Sequence, residues 1–413
     1  MQALHNKQRI ITVDALRGFA LLGILLAHMI FWYNAGPLPE SVFAKHNNTA
    51  TTVISIINEI LISGKFFAFF SFLFGLSFYL QMSSMEQHSS SFVWRYTWRI
   101  VLLGIIGLIH HAFWRGDILS IYAPLGILLI PMRKLGNRAI LIIGLLLAIN
   151  LPGILMQLFD MLRETMAATP PPPPPQQAPA AIDPGQQYYD IATKGNLPAL
   201  LKDNLQNLGT KFDFQFGSGR IYVTMGFFLL GMYAGRRQWF AADAQTVKPV
   251  FKKLRNNSGW LVLGTLVCAL GMFALNEIFT LGWQQSRTAG FIFSIFANIN
   301  SAALVCFYVA GLTLLMNRKS GQQLLYPLAP IGKMALTSYL SQTVLGLVLY
   351  FHIGFTLFGQ TPPWLNWLIG ISFFLFQALV SKWWLRYFNY GPVEWLWRTA
   401  TYFKAPPMRR TKA

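Results

Sequence analysis

Acidic side chains are scarce in this chain. Asp and Glu number 14 among 413 residues, against 33 Lys and Arg, and all charged types together make up 11% of the composition. Soluble domains carry about 25% charged residues, so a water-soluble enzyme is excluded and an all-α, polytopic membrane protein is expected. Cysteine is nearly absent: Cys268 and Cys306 both lie in apolar runs, leaving no disulfide framework and no metal-ligand spacing. A glycine-rich phosphate loop, a His–Glu–x–x–His pair and a Gly–x–Ser–x–Gly elbow are all missing, which argues against ATP-driven transport and zinc hydrolysis by those motifs. No metal and no tightly bound cofactor is expected. What fills the chain is apolar, with 54% hydrophobic residues.

The net charge of +19 does not point to nucleic acid. Basic residues sit in short segments between apolar runs rather than in one basic domain. Ten runs approach the bilayer-spanning length of about 20 residues: 13–33, 65–83, 97–114, 117–132, 136–157, 219–236, 259–281, 289–316, 333–358 and 364–381. Residues 50–64 form a further helix leading into the second run. With both termini cytoplasmic, the inner connections hold Arg95 and Arg99; Arg133, Lys134 and Arg138; Arg236 to Arg255; Arg318 and Lys319; and the basic tail from Lys382 on. The short outer connections offer Lys45, Arg115 and Arg287. That asymmetry is the positive-inside pattern of a multi-pass protein of the bacterial inner membrane. No small-residue cleavage site follows the first apolar stretch, so it reads as a retained helix.

Three regions follow. Residues 1–157 form an N-terminal five-helix region, 158–218 an extracytoplasmic segment, and 219–413 a C-terminal five-helix region with an interfacial tail. The middle segment contains Pro170 to Pro175, a polyproline composition that predicts an extended excursion of limited order. Residues 188–215 are mixed enough for a short amphipathic helix.

Ionisable residues inside the apolar runs are the functional candidates, because a charge in a bilayer costs several kcal/mol unless it meets a partner or a wet cavity. The first run places Asp14 and Arg17 at its start and His28 eleven residues beyond Arg17. Eleven helical steps return to nearly the same face, roughly 16 Å further along. Arg99 and His110 repeat the spacing in the third run, followed by His111, Arg115 and Asp117. Two helices thus offer histidines at similar depth, with a carboxylate able to fix a tautomer; a general base or a polar turn between helices are the alternatives. Lys65 opens the second run, to snorkel or to meet an anionic substrate. Gly75, in the same run, predicts close helix packing. Ser338 and Gln342, one turn apart, either face one cavity or bond between helices. Glu394 and Arg398 form an i,i+4 pair on an interfacial helix that anchors the chain or closes a substrate entrance.

Four motifs carry a family resemblance: DALRGFALLGILL at 14–26, GKFFAFFSFLFG at 64–75, GDILSIYAPLGILL at 116–129 and GPVEWLWR at 391–398. With LAPIGKMALTSYLSQ at 328–342, they resemble the YeiB family of bacterial inner-membrane proteins, a domain of unknown function. The opening motif is also similar to that of heparan-alpha-glucosaminide N-acetyltransferases and, more loosely, of membrane acyltransferases that modify glycans. The glycan enzymes space an Arg and a His in the first span as Arg17 and His28 are spaced, and the glucosaminide enzymes use an outer histidine for which His46 is the nearest candidate. The resemblance implies an acyltransferase that takes an acyl group from cytoplasmic acyl-CoA to an extracytoplasmic glycan or lipid acceptor.

On that reading, Asp14, Arg17, Lys65, Arg99, His111, Arg115, Ser338, Gln342, Glu394 and Arg398 line the substrate path. His28, or His110 with Asp117, is the general base. Acyl-CoA is the donor, the bilayer the surrounding partner, and a homodimer is left open. A transporter or exporter of a small anionic or amphiphilic solute is the alternative, with the same buried groups as its pathway.

Overall fold

The computed structural model describes residues 2–86, 92–166, 184–240, 244–279 and 286–410. The proline run falls outside them. The chain opens with α1 (Gln2–Met29), a short α2 (Glu40–Ala44) and α3 (Thr49–Ile57), which runs into a π-turn at Asn58–Ile62. Next come α4 (Phe66–Glu86), α5 (Phe92–Phe113), α6 (Leu119–Met132), α7 (Asn137–Ala148) and α8 (Leu151–Met166). Beyond the prolines lie α9 (Pro184–Lys194), α10 (Leu197–Gln206), α11 (Leu208–Gly217), α12 (Arg220–Arg236), α13 (Ala244–Phe279) and α14 (Arg287–Met316). Short α15 (Lys319–Leu325) and α16 (Ala329–Lys333) precede α17 (Ala335–Tyr350), α18 (Pro363–Tyr387) and α19 (Pro392–Tyr402). One isolated bridge, Phe388 to Arg409, is the only β-structure among the described residues.

The fold is all-α. Each of the ten apolar runs holds a helix, but among the described residues six helices are long and apolar enough to cross a membrane, with a seventh span if α7 and α8 count as one. Those two are bent by 51° at Asn150, whose φ of 57° is left-handed. The runs at 117–132, 219–236 and 333–358 become helices of 14, 17 and 16 residues. α12 packs against α4, α7, α6 and α11, so protein rather than lipid covers most of its surface. A helix enclosed in this way has no need of a lipid-matched length.

The crossing of α4 and α12 rests on glycine. A Cβ at Gly75 would lie 1.9 Å from the Phe228 carbonyl oxygen, and one at Gly231 would lie 1.9 Å from that of Phe72. The helices therefore touch backbone to backbone, the close packing expected of Gly75, and dispersion gains replace the hydrophobic effect that lipid cannot supply. Gly75→Ala is expected to cost about 1–3 kcal/mol by overpacking. Gly264→Ala in α13, whose Cβ would meet nothing within 4 Å, should be neutral or stabilising. Melting of both variants in detergent checks the pair.

The extended excursion expected of the proline run lies outside the described residues, and in place of one short helix at 188–215 the structure has three. α8 continues to Met166, and residues 184–217 fold into three helices docked on the bundle. The cause is local: Asn196 caps α10 by accepting from the Ala199 N–H at 2.9 Å, and Tyr188, Ala192, Leu200 and Asn204 are buried. A composition that looks solvated thus carries a narrow apolar stripe.

Candidate functional site

The middle of α1 and the starts of α5 and α17 converge with the second half of α4 and with α19. Asp14 and Arg17 pair at 2.7 Å, and Arg17 also donates to the Ser77 hydroxyl at 2.6 Å. Arg99 lies 3.9 Å from the centre of the Trp397 ring, while the Trp397 indole donates to the Arg99 carbonyl at 3.0 Å. Arg95, Lys333 and Arg398 complete the rim. Five cations thus face two carboxylates, Asp14 and Glu394.

Glu394 is not the i,i+4 partner of Arg398 that the spacing suggests. Its Oε1 accepts from the backbone N–H groups of Leu336 and Thr337 at 2.7 and 3.0 Å, and its Oε2 from the Thr337 hydroxyl at 2.5 Å. A carboxylate here caps the α17 N-terminus, a stronger attraction than a solvated ion pair. Arg398 lies over the Tyr390 ring at 4.8 Å instead.

From this basic rim a cavity of about 590 Å³ runs inward. Its walls turn apolar through Leu21, Ile24, Leu73 and Leu103, and it ends against Ile118, Leu119, Tyr122 and Tyr339. Tyr339 accepts the Ile118 N–H at 3.3 Å. That contact leaves the phenol proton free to be donated into the cavity.

Immediately behind this end stands Asp117. It links to His110 Nδ1 at 2.8 Å and accepts from the backbone N–H groups of Leu119 and Ser120 at 3.0 and 2.8 Å. His110 Nε2 meets the Thr343 hydroxyl at 2.9 Å. A carboxylate holding one ring nitrogen leaves the other as the basic one, the arrangement that orients a general base. Asp117 also pairs with Lys211 of α11 at 3.5 Å. Lys211 donates to Ser120 Oγ at 2.7 Å and lies 3.2 Å from His111 Nδ1. Burial pulls the Lys211 ammonium below its ordinary pKa, and the Asp117 charge opposes that shift.

The other candidates fall into three groups. His28 joins the histidine cluster: its ring meets Trp114 edge-on at 4.7 Å, and the same indole is 5.6 Å from His110. Its ring nitrogens make no hydrogen bond among the described residues. His111 and Arg115 tie the outer helices down. His111 Nε2 meets the Asn204 carbonyl at 2.9 Å, and Arg115 binds Asn204 Oδ1 at 3.1 Å, pairs with Asp203 and stacks on Tyr188. Lys65, Ser338, Gln342 and His46 stand apart from the cavity. Lys65 donates to the Glu59 carbonyl at 2.5 Å, Gln342 to Gln377 Oε1 at 3.0 Å, and Gln377 in turn to the Ser338 carbonyl at 2.9 Å. His46 Nε2 meets the Gly359 carbonyl at 2.8 Å. For Ser338 and Gln342 the bonding between helices is what the fold uses.

Sequence reasoning missed Lys211, Asn204, Trp114, Thr343, Tyr339 and Lys333. Only Tyr339 and Thr343 carried a signal, as polar residues in the same apolar run as Ser338.

Comparison with known proteins agrees with the motifs. Residues 234–404 match the family described as "Protein of unknown function (DUF418)". The chain is 29% identical over 424 residues to YxaH of Bacillus subtilis (strain 168), covering 100% of this chain and 99% of that protein. It is 24% identical over 423 residues to YeiB of Escherichia coli (strain K12), covering 97% of this chain and 98% of that protein. The resemblance to the YeiB family thus extends along the whole chain. YxaH and YeiB are both described as uncharacterized proteins, and no solved structure matches. The site is therefore read from its own chemistry.

Proposed function

We infer that this protein is an acyltransferase of the bacterial inner membrane that moves an acyl group from cytoplasmic acyl-CoA to an extracytoplasmic glycan or lipid acceptor. One observation carries the reading: a single cavity joins a rim of five cations to an apolar shaft that stops at Tyr339, directly before the Asp117–His110 pair. Acyl-CoA has the matching shape, with phosphates at one end and a thioester on a thin arm at the other. Arginine is suited to the phosphates through forked, charge-assisted bonds.

In the reaction, the acceptor O–H or N–H would lose its proton towards His110 Nε2, displacing or passing through the Thr343 hydroxyl. The acceptor atom bonds to the thioester carbonyl, the C–S bond breaks, and the leaving thiolate takes a proton to depart as CoA. Tyr339 would donate to the carbonyl oxygen as it becomes negative, the usual stabilisation of acyl transfer. Asp117 orients His110 and balances its charge. His28, across Trp114, is the second base candidate, on the side of the acceptor. The basic connections support a cytoplasmic rim by the positive-inside rule.

Purified protein with acetyl-CoA, longer acyl-CoAs or free CoA tests the reading by melting temperature. A ligand at about a hundred times its dissociation constant should stabilise by about 2.7 kcal/mol. The gain should shrink in Arg95→Gln, whose guanidinium has no hydrogen-bond partner among the described residues, and thioester hydrolysis should be measurable. No stabilisation by any CoA species in folded protein would favour transport instead. The polar chain from the cavity end through Asp117 and Lys211 would then serve as the solute or proton path.

A further inference from the structure

A second cavity, of about 530 Å³, opens between the ends of α4, α6 and α12 and the start of α7. It is lined by Tyr79, Met82, Arg133, Lys134, Asn137 and Arg236. Three of these six carry a positive charge and none carries a negative one. None of the six lines the basic-rimmed cavity.

Arg236 shapes this pocket. It donates to the Leu135 carbonyl at 2.7 Å, to Asn137 Oδ1 at 3.3 Å and to the Arg133 carbonyl. Those bonds satisfy carbonyls that the end of α6 leaves open, and they fix a cation at the pocket wall. Lys134 is different: its ammonium has no hydrogen bond or ion pair among the described residues. A cation with nothing to hold, beside a second one that is locked in place, is a site waiting for an anion.

The surroundings say which kind of anion. Immediately along α7 and α6, Ile142 and Leu128 are 57% and 51% exposed, and Leu145 and Leu146 face outward with them. In a membrane such a surface meets acyl chains, so the pocket stands where those chains end and head groups begin. A charge-bearing pocket with an apolar strip running away from it matches a phosphate joined to a diacyl tail. We propose that this pocket binds the phosphate of an anionic phospholipid, with Lys134 and Arg133 on the phosphate, Arg236 as the fixed wall, and the lipid tails along α7. Clefts of this kind between spans are where lipid phosphates gain from basic side chains.

The test uses the full chain in detergent micelles doped with phosphatidylglycerol or with phosphatidylcholine of the same tails. Phosphatidylglycerol should raise the melting temperature of the wild type and phosphatidylcholine should not. Lys134→Gln should weaken the apparent affinity about fivefold, the worth of one lysine near a lipid phosphate, and Lys134→Glu more. Lys319→Glu, a charge change outside the pocket, should leave the response intact. If Lys134→Glu fails to fold, Lys134→Gln is read alone. Equal stabilisation by the two lipids, or an undiminished response in Lys134→Gln, overturns the site. Inorganic phosphate reproducing the whole shift overturns the lipid as its source and makes the pocket a soluble-phosphate site. None of these outcomes depends on acyl transfer, since free CoA is absent throughout.

Discussion

Asp117→Asn is expected to slow turnover steeply and to destabilise the fold, and the two losses should separate. The carboxylate holds the His110 tautomer, so its neutral isostere should lower the rate about 10²–10⁴-fold, the range for general-base machinery. It is also the counter-charge of Lys211, with the Asp117 side chain 0% and the Lys211 side chain 8% exposed. Removing one member of a buried pair strands the other, at a cost of about 3–5 kcal/mol. Replacing both members should undo that part: Asp117→Asn with Lys211→Met regains stability because no charge is left stranded. It should not regain turnover, because the His110 orienter is still missing. Denaturant melts and thioester turnover on the wild type and the two variants make the comparison. If the double variant recovers activity, Asp117 acts only through Lys211 and the catalytic assignment fails.

The second large effect belongs to Glu394. Glu394→Ala would leave the N–H groups of Leu336 and Thr337 and the Thr337 hydroxyl without the acceptor they now share. Three such bonds to a charged group suggest a loss of about 3 kcal/mol, well short of their sum because water enters the part-buried site. Glu394→Gln keeps an acceptor and should lose less than half as much. The functional consequence is at the rim, since α19 carries Trp397 and Arg398 into the basic-rimmed cavity. Donor affinity should therefore fall in Glu394→Ala before any change in the chemical step, seen as a raised KM with kcat retained. A lowered kcat at unchanged KM would place Glu394 in the chemistry instead.

Much of this architecture is legible in the chain as text. Apolar runs mark the helices, and an eleven-residue spacing puts Arg17 with His28, and Arg99 with His110, at matching depths. The seven-residue step from His110 to Asp117 crosses a turn short enough to bring them together. What is not legible is whatever crosses long sequence distances. Lys211 lies 91 residues from the serine it bonds, in a segment whose mixed composition looks solvated. Thr343 is 233 residues from His110, and only folding chooses it from the polar residues of its run. Glu394 misled for the same reason: Arg398 is the near partner on paper, whereas the exposed N-terminus of α17 is the stronger attraction in space. Span counting does not decide α12, because hydropathy cannot tell a helix wrapped in lipid from one wrapped in other helices.

The indole of Trp397 reaches the Arg99 carbonyl across 298 positions, and that of Trp98 reaches Ala400 across 302. During synthesis, then, the first five helices are inserted long before the rim they contribute to exists. A ribosome that stops near residue 390 would release a chain with nearly every apolar helix in place and no floor beneath its entrance. Such a product should sit in the membrane, keep its helical content and bind no donor. Residues 392–402 thus act as a completion check on the helices that precede them.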